Sequence, residues 1–286
     1  GGYCWYNGAS MENKGFEVSL GYRDQTPFGL SYDISGNISG YRNKVTELPA
    51  DVENSYGGNG KGDNILGRPI NSFYGYIADG LFRTEEDIAK HATQNGGEGL
   101  GRIRYRDLNE DGKIDEDDRT WIGSPHPDFM YGLNIELSYK NFDLSAFFYG
   151  VNGIDVNTYV VKSETDFWSI NDVRSNKGTR LLDAWSPTNP DSNIPAITAL
   201  NANDEGRMST YFVENGSFLK LRNLQLGYTL PRKISEKAYI EKCRIYVSGQ
   251  NLFTIKSKNF SGVDPENAGF GYPIPTTFTV GINIGF

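Results

Sequence analysis

Apolar and polar residues alternate along much of the chain, and runs of this kind predict strands with one dry face and one polar face. The cleanest is "YGLNIELSYK", where Tyr131, Leu133, Ile135, Leu137 and Tyr139 oppose Gly132, Asn134, Glu136 and Ser138. After a Lys140-Asn141 turn, Phe142, Leu144, Ala146 and Phe148 alternate with Asp143, Ser145, Phe147 and Tyr149. Earlier, Phe16, Val18, Leu20 and Tyr22 oppose Glu17, Ser19 and Gly21. Beyond the turn "RDQTPFG", Leu30, Tyr32, Ile34 and Ile38 oppose Ser31, Asp33, Ser35, Asn37 and Ser39. The last run sets Phe278, Val280, Ile282, Ile284 and Phe286 against Thr277, Thr279, Gly281, Asn283 and Gly285. "CRIYVSGQNLF" alternates less cleanly, through Ile245 and Val247.

One run changes parity. In "SFLKLRNLQLGYTLP", Leu219 and Leu221 share one phase while Leu224, Leu226, Tyr228 and Leu230 occupy the other. Because a one-residue slip turns every side chain to the opposite face, a bulge or the membrane boundary is expected near Arg222-Asn223, with Lys220 and Arg222 above the lipid.

The apolar faces often carry Tyr or Phe at their ends, as aromatic girdles do at membrane interfaces, and the opposite faces are small and polar, as suits a water-filled lumen. A strand of about 9 to 11 tilted residues crosses a bilayer. Connections fall into two classes: short ones, and long ones over Asn43–Phe129, Gly150–Gly216 and Thr254–Thr276, which is the asymmetry of outer-membrane barrels. About seven strands are expected; seven with two free edges do not stand alone, so the chain reads as a fragment of a larger barrel.

Composition narrows the field. The chain has 286 residues and a net charge of −8, which argues against a nucleic-acid partner. Aromatics reach 13% with 34 Gly and 12 Pro, which fits neither a helical bundle nor disorder. Cys4 and Cys243 are too few for a disulfide framework or a cysteine zinc site. No apolar run is long enough for a spanning helix, and the opening residues carry no signal-peptide pattern, so either the chain is cytosolic or its true start is missing, and the strands above favour the second.

Eight stretches, in order, carry a family resemblance: "MENKGFEVSLGY", "GRPINSFYGYIADGLF", "YRDLNEDGKIDEDDRTWIGSPHPDFMYGLN", "LLDAWSPTNPDSNIP", "YFVENGSFLKLRNLQLGYTLP", "IYVSGQNLFTI", "GVDPE" and "YPIPTTFTVGINIGF". Together they resemble the C-terminal part of a SusC/RagA-type TonB-linked outer-membrane transporter of Bacteroidetes. The resemblance implies an all-β, antiparallel transmembrane barrel of about 22 strands, of which residues 1–286 supply the C-terminal portion without the plug. It further implies extracellular connections over 43–129 and 150–216, and a location in the bacterial outer membrane. The implied partners are the rest of the transporter, outer-membrane lipid, TonB and a SusD-like lipoprotein lid. The implied activity is import of an oligosaccharide above all, or a peptide, and not an enzymatic reaction.

The sharpest local motif is "DLNEDGKIDEDD". Asp107, Asn109, Asp111, Lys113 (through its carbonyl), Asp115 and Asp118 take the ligand positions of a calcium loop, and Gly112 takes its sharp turn. Ca2+, or Mg2+, is the expected cofactor, with no organic cofactor; Asp in place of Glu at the last position shortens the final arm. A hydrated acidic turn is the plainer reading. Tyr74, Tyr76, Phe167, Trp168, Trp185 and Tyr211, with Phe73, lie among Asn and Asp in loop-like segments and are candidates for stacking against sugars; loop packing is the competing role. Phe278, Val280, Ile282, Ile284 and Phe286 resemble the terminal signal read by the barrel-assembly machinery. His91 and His126 are isolated, "GGNGKGD" lacks the Lys-Ser/Thr pair of a phosphate loop, and no nucleophile elbow is present. "TEEDIAKHATQN" predicts a short surface helix capped by Thr84. The rivals from other classes are a secreted, calcium-stabilised, glycan-binding β module and a passive porin.

Overall fold

A computed structural model describes residues 8–50, 63–94, 97–168, 170, 176–199 and 203–286. Cys4 and most of "GGNGKGD" lie outside the described residues. Seven long strands carry the architecture: β1 (Ser10–Gln25), β2 (Leu30–Glu47), β7 (Phe129–Tyr139), β8 (Phe142–Asn152), β11 (Phe218–Thr229), β12 (Lys242–Lys256) and β13 (Thr277–Gly285). Six short ones lie in the connections: β3 (Phe73–Gly75), β4 (Ala78–Leu81), β5 (Ile103–Tyr105), β6 (Thr120–Gly123), β9 (Asp155–Asn157) and β10 (Val213–Asn215).

The long strands form one antiparallel sheet in the order β1-β2-β7-β8-β11-β12-β13. Neighbours in sequence pair in space, as in an up-and-down barrel wall. Register aligns the apolar parities into one ribbon. Val18 pairs with Ile38, Ile34 with Ile135, Leu137 with Leu144, Leu144 with Leu226, Leu226 with Val247, and Val247 with Val280. Among the described residues no second sheet covers this side: Leu20 is 76% exposed, Phe278 77% and Val280 74%. An apolar ribbon of this extent, uncovered by protein, is a lipid-facing surface. Among the described residues no helix is long and apolar enough to cross a membrane.

The parity change in β11 is a bulge. Both neighbours skip a residue between Leu221 and Asn223, and the extra residue returns Leu219 and Leu221 to the same face as Leu224, Leu226 and Tyr228. Lys220, of the opposite parity, therefore points inward, a direction its sequence position does not show. Its side chain is 1% exposed and paired with Asp264. The first long connection also starts later than expected, because β2 continues through Asn43 to Glu47.

The inner face is polar. Arg23 pairs with Asp33 across β1 and β2, and Arg244 on β12 reaches over β11 to Asp143 on β8, with Nε 3.0 Å from Oδ1. That reach needs a residue without a side chain: a Cβ on Gly227 would sit 2.5 Å from both carboxylate oxygens of Asp143 and from Nη2 of Arg244. Asp143→Asn is expected to cost up to about 1 kcal/mol in the parent and almost nothing in a Gly227→Ala background. Denaturant titration of the four proteins of that cycle measures the difference; equal costs in both backgrounds would show that Gly227 does not admit the pair.

The two long connections do not form separate loops. Leu81, Ile103, Tyr105 and Ile114 from the first pack with Phe167, Trp185 and Phe212 from the second in one buried cluster. β3 pairs with β6, β4 with β5, and β9 with β10. The predicted helix forms as α1 (Glu85–Lys90), with a reciprocal capping box between Thr84 and Asp87.

Candidate functional site

The body built from the two connections sits at one end of the sheet, and its interior is held by buried charges. Gln94, fully buried, donates from Nε2 to the Ile103 carbonyl at 3.0 Å and accepts from the Tyr105 amide at 2.6 Å. Beside it Arg102 donates to Glu205 at 2.8 Å, and Glu205 also accepts the Ile103 amide at 2.8 Å. Burial raises the Glu205 carboxyl above its ordinary range and lowers the Arg102 guanidinium. Both directions show that each charge is held at a desolvation cost, which the pairing offsets. Arg207 lies over two neighbouring rings, 4.9 Å from Tyr76 and 4.7 Å from Tyr105.

A second network opens on the surface. α2 (Tyr159–Thr165) carries Lys162, whose Nζ pairs with Glu214 of β10 at 2.8 Å and lies 4.4 Å over the Tyr211 ring. Asp166, fully buried, receives Arg180 Nε at 2.7 Å and the Tyr211 hydroxyl at 2.8 Å. Burial, with Asp166 adding to it, drives the Tyr211 phenol well above its ordinary value, so it remains a neutral donor. Glu214 also accepts the Ser261 amide at 2.8 Å and its hydroxyl at 3.0 Å, which ties in the connection between β12 and β13. Lys162, Arg180, Tyr211 and Glu214 border an open polar cleft of about 690 Å³, whose lining also includes Asp183, Asp191, Asn193 and Lys258. The volume falls in the range of ligand-binding clefts. Its lining offers hydrogen bonds and charges of both signs.

The structure separates the aromatic candidates. Phe167 and Trp185 are 3% and 8% exposed, and both belong to the buried cluster. Their expected role as substrate contacts is corrected to core packing, because a ring enclosed on both faces has none left for a sugar. Tyr76 and Tyr211 pack against that cluster. Tyr74 is half-buried, donates to the Arg119 carbonyl at 3.0 Å and meets the Trp121 ring at 4.9 Å. Burial, helped by Asp63, pushes its phenol up to about 12. Phe73 sits in β3. Trp168 is the one of the candidate set with an open ring, at 38% exposure. Lys162, Glu214, Asp166 and Arg180 escaped sequence reading because isolated charges in a polar loop carry no periodic signal.

The acidic loop folds on its own backbone. Asp107 accepts the Glu110 and Gly112 amides at 2.7 and 2.9 Å, Asn109 accepts from Asp111 at 3.1 Å, and Asp111 from Lys113 at 2.9 Å. Gly112 takes the tight turn at φ 82°. Asp115 caps a short 3-10 turn over Glu116–Asp118. Asp118, fully buried, accepts Leu108 and Asp115 amides at 2.7 and 2.8 Å. Among the described residues no three His, Cys, Asp or Glu side chains converge as a metal cluster. The terminal run places Phe278, Val280, Ile282 and Ile284 of β13 on the lipid face, with Phe286 just past its end.

Comparison with known proteins accounts for the whole chain. TonB-dependent receptor P3 of Formosa agariphila is 33% identical over 98% of this chain and 29% of its own length. TonB-dependent receptor SusC of Bacteroides thetaiotaomicron is 29% identical over 98% of this chain and 27% of its own. A solved structure of the RagAB peptide transporter superposes with a TM-score of 0.74 at 24% identity, covering 98% of this chain and 29% of that one. The chain is a SusC/RagA-type barrel segment. The RagAB peptide importer in its closed-closed state gives a TM-score of 0.73 at 25% identity, with 98% and 30% coverage. The SusC/RagA-type segment thus spans under a third of the length of the relatives it matches. No protein-family model matches it. The sheet belongs to a transmembrane barrel, and the body of packed connections caps one end of its wall.

Proposed function

We propose that the full-length protein is a TonB-dependent importer of the bacterial outer membrane. It takes up a nutrient oligomer, an oligosaccharide or a short peptide, together with a SusD-like lipoprotein. The observation that carries this reading is the sheet itself: one lipid-facing apolar ribbon, one polar inner face, and a charged cleft in the body at its end. Names of relatives support it, since the matched proteins are TonB-dependent receptors and the superposed structures are described as a peptide transporter and importer. The long connections face the cell exterior, where Trp168 and the cleft rim meet substrate. The protein's own contribution is binding and passage, without bond-breaking chemistry. Cells carrying the full-length protein are expected to take up labelled oligomer and to stop when the proton gradient is collapsed. Uptake that persists without the gradient would identify a passive pore instead.

The acidic loop enters the proposal as a stabilising cation site. Each of Asp107, Asn109 and Asp111 uses part of its oxygen capacity on backbone amides, which leaves lone pairs for a hard cation if the side chains draw together. Millimolar Ca2+ is expected to slow proteolysis of residues 103–120 in the full-length protein, and Asp107→Asn to remove the effect. Cleavage at the same rate with Ca2+ and with chelator would end this reading.

A further inference from the structure

Above the lipid-facing ribbon, β1 and β2 carry charges that point out of the barrel. The register sets Lys14 directly opposite Arg42, and Glu12 opposite Lys44. Their outward direction follows from their neighbours: Asn43 and Val45, on the other face, are buried at 5% and 4%, and the Ile70 amide donates to Asn43 Oδ1 at 2.7 Å. Arg42 and Lys44 are exposed. Lys14 contacts Glu12, so on this outward face of β1 and β2 three cations stand against one carboxylate among the described residues. Like charges directly opposite one another on adjacent strands are destabilising, and Glu12 offsets only part of this excess of positive charge.

One residue further toward the band, on the same face, the surface turns apolar. Phe16 on β1 and Phe129 at the start of β7 lie 6.4 Å apart, on either side of Gly40. A Cβ there would sit 3.1 Å from the Phe16 ring and 3.3 Å from that of Phe129. The result is a notch of about 360 Å³ lined by Lys14, Gly15, Phe16, Gly40, Arg42 and Phe129, with Asp128 and Tyr41 at its inner edge. A patch in which Lys14, Arg42 and Lys44 outnumber Glu12, continuous with a notch in the aromatic girdle, suits an amphiphile with an anionic head and an apolar tail.

The geometry points to a binding site for a phosphorylated lipid of the leaflet on the long-connection side: phosphate between Lys14 and Arg42, with the tail running down the notch. The inference rests on the lipid-facing assignment of the ribbon and not on import. A transporter that imports normally and shows no lipid preference would overturn it alone.

The test titrates the purified full-length transporter in neutral detergent with short-chain phosphatidic acid, with phosphatidylcholine of the same tails, and with inorganic phosphate. Phosphatidic acid is expected to bind at least about tenfold more tightly than phosphatidylcholine. Each cation removed should cost on the order of fivefold, so Lys14→Gln/Arg42→Gln should abolish the preference, while Lys140→Gln at the short-turn end leaves it intact. Equal binding of the two lipids, or an unchanged double variant, would overturn the site. Inorganic phosphate competing as strongly as the lipid would show a free-anion site and overturn the lipid assignment.

Discussion

Glu205→Ala is expected to destabilise the packed connections by about 3–5 kcal/mol, because it strands the Arg102 guanidinium in a site where burial already lowers its tendency to carry charge. The loss also frees the Ile103 amide, which donates to the same carboxylate. The barrel wall does not share this core, so the effect belongs to the body alone. Amide exchange at Ile103–Tyr105 is the appropriate measurement, and a rise of two orders of magnitude or more is expected. Arg102→Met/Glu205→Met should recover most of the loss, since replacing both partners removes the stranded charge. Parent-like exchange in the single variant would show that the pair does not hold the body together.

Lys220→Met is expected to have the next largest effect, about 3 kcal/mol, and to act at a different place. Lys220 Nζ lies 2.7 Å from both oxygens of Asp264 and also contacts Glu266, which Arg222 reaches from the bulge. The pairs pin the connection between β12 and β13 onto the inner side of β11. Lys256 helps, donating to the carbonyls of Gly262 and Val263 at 2.6 and 2.7 Å. Without Lys220, two carboxylates face each other with one cation fewer, and residues 257–276 should become the first site of protease cleavage. Lys220→Met combined with Asp264→Asn should restore part of the protection. Unchanged cleavage in Lys220→Met would mean that the connection is held by its other contacts.

The strands were legible wherever lipid covers one side and lumen the other, since that contrast imposes a period of two on the residues themselves. Beyond the membrane the rule inverts. At Tyr41–Val45 the outer side meets charge and the inner side is buried by the first connection, so β2 runs on through residues that resemble a loop. The direction of Lys220 is hidden for a related reason: the parity change announces the bulge, but the partner that holds Lys220 inward lies 44 residues away at Asp264.

By itself the sequence determined the alternating ribbons, the slip in β11, the Thr84 cap and the turn at Gly112, all of which depend on residues a few positions apart. Only the tertiary structure decided which aromatics became core and which charges met. Arg102 and Glu205 are separated by 103 positions and Asp143 and Arg244 by 101. A contact between such distant residues leaves no local period to detect. It exists because chain closure brings two desolvated charges to one place, and that place is known only once the fold has formed.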